Sequence, residues 1–197
     1  MITENGRLSG AVEYRHYEQK ESDPLRRIKG ARSRASGKYF EALISAACAY
    51  YEQAGFAVIE KTPEPFEVTK RLSGGRFQGH FAHRAQPDYK GALRGGRCVV
   101  FEAKHTDAFS IKSDRVTAAQ RTALEAYINQ GAVCFVLISL GLERCYRVPW
   151  MVWRDMKTIF GRLYADETDL EPYRVPRTGG VILFLSGLEA DKDAGRS

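Results

Sequence analysis

Hydrophobic residues recur at helical spacing in the segment that follows residue 36. The apolar positions of this segment are Phe40, Leu43, Ile44, Ala47 and Tyr51. Residues three and four positions apart share one side of an α-helix, so the pattern predicts a helix over about residues 37–54. Ser36 suits an N-cap and Gly55 a C-terminal stop. Glu41 is expected at the flank of the apolar face, close to the core.

Apolar runs and two more helical patterns alternate along the rest of the chain. Strands are predicted at residues 56–60, 97–104, 132–140, 144–148 and 181–185, with a hairpin over 88–103 and helices at about 115–130 and 149–160. The run AVCFVLISL, residues 132–140, is apolar without interruption, which is typical of a central strand buried on both faces. This order of elements indicates an α/β fold with a mixed sheet and helices on its faces.

A long polar segment, residues 62–86, separates the first predicted strand from the hairpin. A loop of this length inside a compact domain is typical of a functional projection. The stretches VTKRL and RFQGHF flank Ser73-Gly74-Gly75 and predict a protruding β-hairpin. His80 and His83 have the spacing of metal ligands, but no cysteine or acid nearby completes a zinc site, so we expect them at the surface.

Charge and composition divide the chain into three parts. The 197 residues carry a formal net charge of +6, which favours an anionic partner. Residues 1–35 are predicted to form a flexible basic arm, residues 36–186 one domain, and residues 187–197 a flexible tail. The basic residues at the end of the arm and the start of the first helix are Arg26, Arg27, Lys29, Arg32, Arg34 and Lys38. Two interpretations of them remain open: a solubilising tail, or a segment that neutralises phosphates.

The four cysteines are far apart and have apolar neighbours. They are Cys48, Cys98, Cys134 and Cys145. No pair has C-x-x-C spacing, so we expect small core residues of a reduced protein rather than a zinc site or a disulfide framework. There is no run of about 18 apolar residues and no secretory pattern at the start, so we expect a cytoplasmic protein without a membrane partner.

Asp88, Glu102 and Lys104 lie on either side of the glycine-rich turn of the predicted hairpin. Side chains alternate along a strand, so Glu102 and Lys104 point to the same side. A three-residue loop, residues 94–96, places Asp88 opposite Glu102, whereas a two-residue loop of the glycines places it opposite Ala103. We predict the three-residue loop.

Two carboxylates that face each other across a strand pair repel unless a cation lies between them. Hard oxygen ligands with open positions suit Mg²⁺, which also binds phosphate oxygens. Beside such an ion, Lys104 can orient or deprotonate water and stabilise charge on the attacked phosphorus. The alternative for a Glu-x-Lys on a strand is a solvated face or a simple salt bridge. The companion Asp88 and the upstream Glu41 favour phosphodiester hydrolysis.

Gln120 places an amide within the apolar stripe of the second long helix. The other members of the stripe are Val116, Ala119, Ala123, Leu124 and Tyr127. A buried amide needs a partner, and two interpretations stay open: a bond to the sheet backbone, or an amide that lines the metal site. His105 follows the same strand as Lys104, and we expect an exposed strand end there rather than a substrate contact.

These motifs resemble the PD-(D/E)xK nuclease superfamily, and their order is similar to that of the RecU-type Holliday junction resolvases. They are GKYFE with Glu41, PDYKG with Asp88, FEAK with Glu102 and Lys104, and the helical Gln120. The resemblance covers roughly residues 36–155. It implies a restriction-endonuclease-like core, namely a mixed β-sheet flanked by helices, with residues 62–86 as a protruding stalk.

The resemblance also implies an activity. The protein would be a homodimer with two active sites that nicks paired strands of a four-way DNA junction, using Mg²⁺ or Mn²⁺. Asp88 and Glu102 would be metal ligands, and Glu41 would complete the acidic cluster. Lys104 would be the catalytic lysine, and Gln120 would support the site from its helix.

The stalk and the arm would bind the DNA, by stacking on unpaired bases and by neutralising phosphates. The expected contacts in the stalk are Lys70, Arg71, Arg76, Phe77, Phe81 and Arg84, besides the six basic residues between 26 and 38. Recombination proteins are candidate partners. Two other functions remain open: a non-catalytic junction-binding or architectural protein, which would have no need of clustered acids, and a restriction-type endonuclease, which would cut linear duplex at a defined sequence.

Overall fold

A five-stranded mixed β-sheet lies at the centre of the fold. The computed structural model describes residues 24–63, 66–81 and 86–188. The helices are α1 (Pro24–Gln53), α2 (Ala118–Ile128), α3 (Trp150–Arg154), α4 (Met156–Phe160) and α5 (Glu167–Leu170). The strands are β1 (Ala57–Lys61), β2 (Phe66–Arg71), β3 (Phe77–Phe81), β4 (Tyr89–Leu93), β5 (Cys98–Thr106), β6 (Ser110–Lys112), β7 (Val133–Leu140), β8 (Arg144–Pro149), β9 (Tyr164–Asp166), β10 (Arg177–Thr178) and β11 (Val181–Ile182). Short 3-10 turns cover Ser113–Arg115 and Glu171–Tyr173.

The strand order in the central sheet is β1-β4-β5-β7-β8. The pair β5–β7 is parallel, and every other pair of neighbours is antiparallel. A parallel pair needs a long crossover connection, and the segment that contains α2 supplies it. The predicted α/β class, a mixed sheet flanked by helices, is therefore confirmed. Because β5 is the middle strand, side chains on it are enclosed from both neighbouring strands.

The apolar face predicted for the first helix packs on one side of this sheet. Phe40, Ile44, Ala47 and Tyr51 of α1 are each at most 4% exposed. They belong to one hydrophobic cluster together with residues of β1, β4, β5 and β7. The hydroxyl of Tyr51 also accepts a hydrogen bond from the backbone N–H of Leu185 at 2.9 Å, which ties the end of the described chain to α1.

Three aromatic rings stack across adjacent strands on the same side of the sheet. Tyr89 lies opposite Phe101 in the β4–β5 pair, and Phe101 lies opposite Phe135 in the β5–β7 pair. The ring centroids are 4.8 Å and 4.7 Å apart, with interplanar angles of 6° and 9°. Aromatic pairs of this kind contribute about 0.5–1.5 kcal/mol beyond their burial. The row therefore stabilises the register of β4, β5 and β7.

A second hydrophobic cluster covers the opposite side of the sheet. It joins Val100 and Val136 of the central strands to Leu124 of α2 and Trp153 of α3, all at 0% exposure. β7 is buried along both faces, as predicted for a central strand. Among the cysteines, Cys48, Cys134 and Cys145 are buried and Cys98 is partly buried, which agrees with their predicted place in the core.

Helix α1 begins at Pro24, so the predicted start near residue 37 is wrong. Residues 24–35, assigned from the sequence to a flexible arm, are helical, whereas residues 1–23 lie outside the described chain. The side chains of residues 31–35 are exposed, so packing does not hold this part of the helix. Alanine, arginine and lysine are strong helix formers, and extending a packed helix avoids the cost of nucleation. Proline is tolerated in a first turn.

Two predictions near the C-terminal end are only partly right. The predicted third helix is divided into α3 and α4 at Asp155, where φ is −95° and ψ is 22°. The predicted strand over residues 181–185 is reduced to Val181 and Ile182, which pair with β10. Most of the predicted flexible tail, residues 189–197, lies outside the described chain. No helix in the described parts of the chain is long and apolar enough to cross a membrane.

The hairpin predicted within residues 62–86 is present. β2 and β3 pair antiparallel and form a two-stranded sheet of their own. Gly74 and Gly75 in its turn have φ values of 71° and 72°, a conformation that suits glycine. Every residue of β2 is exposed. We call residues 66–81 the stalk from here on.

Candidate active site

A three-residue turn joins β4 to β5, as predicted. The backbone N–H of Leu93 donates to the carbonyl of Arg97, and the N–H of Gly96 donates to the carbonyl of Leu93, each at 2.9 Å. Gly95 and Gly96 have φ values of 93° and 88°. Residues with a Cβ rarely adopt this region, so the two glycines allow the tight turn.

The register set by this turn brings two acids together. Tyr89 pairs with Phe101, and the same register continued by one residue places Asp88 opposite Glu102. This confirms the predicted alignment. The ammonium of Lys104 lies within 3.5 Å of the Asp88 carboxylate and 2.8 Å of the Glu102 carboxylate, so the three side chains share one site.

Glu102 is fully buried, with 0% of its side chain exposed. Its Oε2 atom accepts hydrogen bonds from Lys104 Nζ at 2.8 Å and from Gln120 Nε2 at 2.5 Å. Its Oε1 atom is also buried and has no hydrogen-bond partner among the described residues. A buried polar atom left unpaired costs about 1–3 kcal/mol. The unpaired Oε1 atom of Glu102 therefore lowers folding stability and is a candidate position for a ligand.

Asp88 lies at the open side of the site, with 33% of its side chain exposed. Its Oδ2 atom accepts a hydrogen bond from the backbone N–H of Ala103 at 3.0 Å, which fixes the carboxylate against β5. Lys104 is only 13% exposed and lies between the two acids. The lysine thus offsets the repulsion between the carboxylates.

Gln120 connects helix α2 to the site. Its Nε2 atom donates to Glu102, while its Oε1 atom accepts from the backbone N–H of Thr117 at 3.1 Å. Thr117 in turn accepts from the N–H of Gln120, so the two residues form a capping box at the start of α2. The contact with Glu102 supports the interpretation in which this amide lines the site.

The electrostatic environment keeps Glu102 protonated over an unusually wide pH range. Burial, together with the nearby charge of Asp88, raises the pKa of Glu102 to about 8, and Lys104 acts in the opposite direction. A divalent cation beside the carboxyl would favour its charged form. Protons and metal ions therefore compete for this site.

Glu41 is not brought to the other acids. Its Oε2 atom lies 2.7 Å from the ammonium of Lys61. Within residues 24–63, 66–81 and 86–188, no three aspartate, glutamate, histidine or cysteine side chains form a group that could hold a metal ion. Carboxylates converge readily only when a cation compensates their charge, and Lys61 compensates the charge of Glu41 here. The role of Glu41 as a metal ligand stays a prediction.

The donors that are present suit a hard divalent cation. Asp88 and Glu102 offer carboxylate oxygens, the ligands that Mg²⁺ and similar ions prefer. The unpaired Oε1 of Glu102 is a buried acceptor at this place. An ion held there would satisfy that atom and separate the two negative charges. The residues thus fit the metal that the sequence resemblance implies.

The predicted DNA contacts whose side chains the structure describes lie in two exposed regions. Those with exposed side chains are Arg32, Arg34 and Lys38 of α1, and Lys70, Arg71, Arg76 and Phe77 of the stalk. Phe77 is 61% exposed, which is unusual for a large aromatic side chain. The backbones of Arg26, Arg27, Lys29 and Phe81 are described without their side chains, and Arg84 lies outside the described chain.

His105 departs from the expectation of an exposed strand end, since its side chain is 5% exposed. Its ring nitrogens lie 3.2 Å from Ser139 Oγ and 3.2 Å from Asp107 Oδ1. The burial of His105 could have been predicted from strand alternation. Position 105 falls on the same side of β5 as Phe101 and Ala103, which face a hydrophobic core. His80 is exposed and lies 3.7 Å from Glu67.

Sequence reasoning also missed two residues that contact predicted site residues, Thr117 beside Gln120 and Lys61 beside Glu41. Thr117 had a local signal, because Thr-x-x-Gln before an apolar helical stripe is the pattern of a capping box. Lys61 had no such signal. Its contact with Glu41 joins the end of β1 to the middle of α1, and only the tertiary fold brings these together.

Comparison with known proteins shows which protein family this chain is similar to. The family model described as recombination protein U, RecU, matches residues 35–167. The Holliday junction resolvase RecU of Streptococcus gordonii is 32% identical over 120 residues, which cover 57% of this chain and 60% of that protein. The protein of the same name from Streptococcus sanguinis is 30% identical over 146 residues, covering 70% of this chain and 72% of that protein.

The chain spans about 60% of the length of the first of these relatives. Among solved structures, Hjc, a Holliday junction resolvase from Archaeoglobus fulgidus, aligns with a TM-score of 0.43 at 14% identity. That alignment covers 68% of this chain and 92% of the other.

Proposed function

Because this chain belongs to the recombination protein U (RecU) family, we propose that it is an endonuclease that resolves four-way, or Holliday, DNA junctions. The observation that carries the proposal is the buried carboxyl of Glu102, which has one unpaired oxygen and lies beside Asp88 and Lys104. This combination of acids and an amine is suited to phosphodiester hydrolysis. The relatives that match this chain are named Holliday junction resolvases.

Each side chain of the site has a distinct role in this proposal. Asp88 and Glu102 hold a divalent cation, Mg²⁺ or Mn²⁺, with Glu41 as a third ligand. When bound, such an ion polarises a phosphate oxygen and lowers the pKa of water. Lys104 stabilises negative charge that develops on the attacked phosphate. Gln120 keeps the Glu102 carboxylate in position from α2.

The exposed basic regions supply the binding of DNA. The stalk presents cations and Phe77 to solvent, which suits contacts with phosphates and unstacked bases. The exposed cations of α1 suit the phosphates of a flanking arm. Paired nicking needs two active sites, so we propose that the protein acts as a homodimer, with recombination proteins as candidate partners.

A protein that only binds junctions would gain nothing from this site. Clustered acids repel phosphate, and a buried carboxyl with a raised pKa lowers folding stability. Such a cost is typical of catalytic centres rather than of binding surfaces. The buried acid therefore favours catalysis over an architectural role.

Cleavage assays on matched substrates test the proposal. A synthetic four-way junction and a linear duplex of the same sequence are incubated with the protein in Mg²⁺ or in EDTA. We expect symmetrical nicks in the junction only with metal, and little cutting of the duplex. Asp88→Asn and Glu102→Gln should lower cleavage by at least about 100-fold while junction binding persists. Glu52→Gln, an exposed acid at the far end of α1, is the matched control.

The other outcomes identify the competing functions. Sequence-specific cutting of the linear duplex would indicate a restriction-type enzyme. Binding without cleavage in any divalent metal would indicate an architectural protein. Full cleavage by Asp88→Asn would refute the assigned site.

A further inference from the structure

Glu41 and Lys61 form an ion pair at the border of the candidate active site. The Lys61 ammonium lies 2.7 Å from Glu41 Oε2, with 53% and 47% of the two side chains exposed. Glu41 belongs to α1, and Lys61 is the last residue of β1. An acid predicted to bind metal is thus occupied by a cation of the protein itself.

The pair is adjacent to the acids of the site. Lys61 lies opposite Tyr89 in the β1–β4 register, and the N–H of Thr62 donates to the carbonyl of Asp88 at 2.9 Å. The Tyr89 hydroxyl is buried and has no hydrogen-bond partner within the described chain. Its pKa is raised by burial, by the charge of Glu41 and also by that of Asp88. The charges of both carboxylates therefore act on the same hydroxyl.

The ion pair is weak enough to be exchanged. Exposed pairs of this kind contribute only about 0.2–1 kcal/mol, because water screens the attraction and both long side chains lose freedom. A divalent cation between Glu41 and the other two acids carries twice the charge and would interact with three carboxylates. Lys61 can then be displaced at small cost.

We infer that Lys61 competes with the metal ion for Glu41, so that the acidic cluster is completed only when the Glu41–Lys61 ion pair breaks. The inference rests on the proposed function, because it takes Asp88 and Glu102 as the site of the ion. In this inference Lys61 keeps the Glu41 carboxylate away from the metal ion, and the affinity of the DNA-free protein for the ion is lower as a result. It also explains why Glu41 lies apart from the other acids.

Calorimetric titration of the DNA-free full chain with Mn²⁺ tests this role without measuring activity. Replacing Lys61 with methionine removes the competitor, and we expect Mn²⁺ affinity to rise about two- to fivefold. Lys61→Arg keeps the charge and should bind as the wild type does. Lys90→Met removes one charge from the adjacent strand, where Lys90 bonds Gln86 rather than an acid, and should have a smaller effect.

A second pair of variants shows whether the effect passes through Glu41. In a Glu41→Gln background, Lys61→Met should leave Mn²⁺ affinity unchanged, since no carboxylate remains to be released. An equal gain in both backgrounds would mean a general charge effect and would overturn the inference. No gain in the single variant would overturn it as well. Urea unfolding of each variant shows that the comparison is made between folded proteins.

The competition between Lys61 and the metal ion can be refuted independently of the proposed function. If the wild type cleaves junctions and Asp88→Asn loses Mn²⁺ binding while Lys61→Met binds as the wild type does, only the competition is refuted. If Asp88→Asn binds Mn²⁺ normally, the assigned site fails first, and Lys61 has no metal for which to compete.

Discussion

Glu102 shows how one side chain of a candidate active site can lower folding stability. Its carboxyl has two donors on one oxygen and none among the described residues on the other. The resulting pKa of about 8 lies well above the ordinary value of 4.5 for a glutamate. Between these two values, the folded chain holds a proton that the unfolded chain releases. This residue therefore makes the metal-free protein less stable as pH rises.

Replacing Glu102 with glutamine tests that sign directly. Glutamine resembles the protonated acid at every pH, so the variant should equal the wild type near pH 4.5 and become increasingly more stable than it up to about pH 8. Urea unfolding in EDTA at a series of pH values measures the difference. The exposed Glu52→Gln should follow the wild type. Parallel curves for Glu102→Gln and wild type would contradict the raised pKa.

The grouping of Asp88, Glu102 and Lys104 could be predicted from the sequence, because turn length and strand alternation are local rules. The hydrogen bond between Gln120 and Glu102 was only one of two interpretations, since it depends on how α2 lies over β5. The position of Glu41 could not be derived, because a helix and a strand far apart in the chain decide its partner.

At the level of secondary-structure elements, the edge strand β1 approaches β4 closely at a glycine. A Cβ atom built on Gly91 would lie 2.0 Å from the carbonyl oxygen of Val58 and 2.7 Å from the Cα of Ile59. Both contacts are with backbone atoms, which cannot move aside as a flexible side chain can. Gly91 thus permits the pairing that positions the end of β1 beside the site.

Gly91→Ala should therefore destabilise the protein by more than about 2 kcal/mol, because β1 and β4 must separate to admit the methyl group. Gly37→Ala is the matched control. Gly37 lies within α1 with nothing within 4 Å of the added Cβ, and alanine there should stabilise by about 0.5–1 kcal/mol. Urea denaturation measures both changes. Equal effects of the two substitutions would contradict the close approach.

Element boundaries were predictable where packing and local propensity agree. The part of α1 that packs on the sheet follows its apolar stripe, and β7 follows its unbroken apolar run. The extension of α1 towards Pro24 could not be read from hydrophobic pattern, since the side chains of residues 31–35 are exposed and helix propensity, rather than an apolar stripe, favours this part. The break at Asp155 between α3 and α4 likewise follows from tertiary packing, since Trp153 and Met156 on either side are both buried.

For the whole molecule, the exposed cations of α1 predict a salt-dependent contribution to DNA binding. Replacing Arg32, Arg34 and Lys38 with glutamine should weaken junction binding and reduce the slope of log affinity against log salt by about 0.9 for each phosphate that the variant no longer neutralises. Fluorescence anisotropy across a salt titration in EDTA measures the slope. Lys157→Gln, an exposed cation of α4, should leave it nearly unchanged. An unaltered slope in the triple variant would reduce this segment to a solubilising role.

The continuity of α1 gives these cations a fixed direction. Its 30 residues make a rod of about 45 Å. The first half of the rod carries the basic residues, and the second half, from Phe40 to Tyr51, packs in the core. One alanine inserted between Tyr39 and Phe40 would turn all of these cations by about 100° about the helix axis relative to the core. If the cations lay on a flexible segment instead, the same insertion would change only the length of that segment and not the direction of the cations. Under the proposed function, the orientation of a bound DNA arm would therefore follow the rotation of a single helix about its axis.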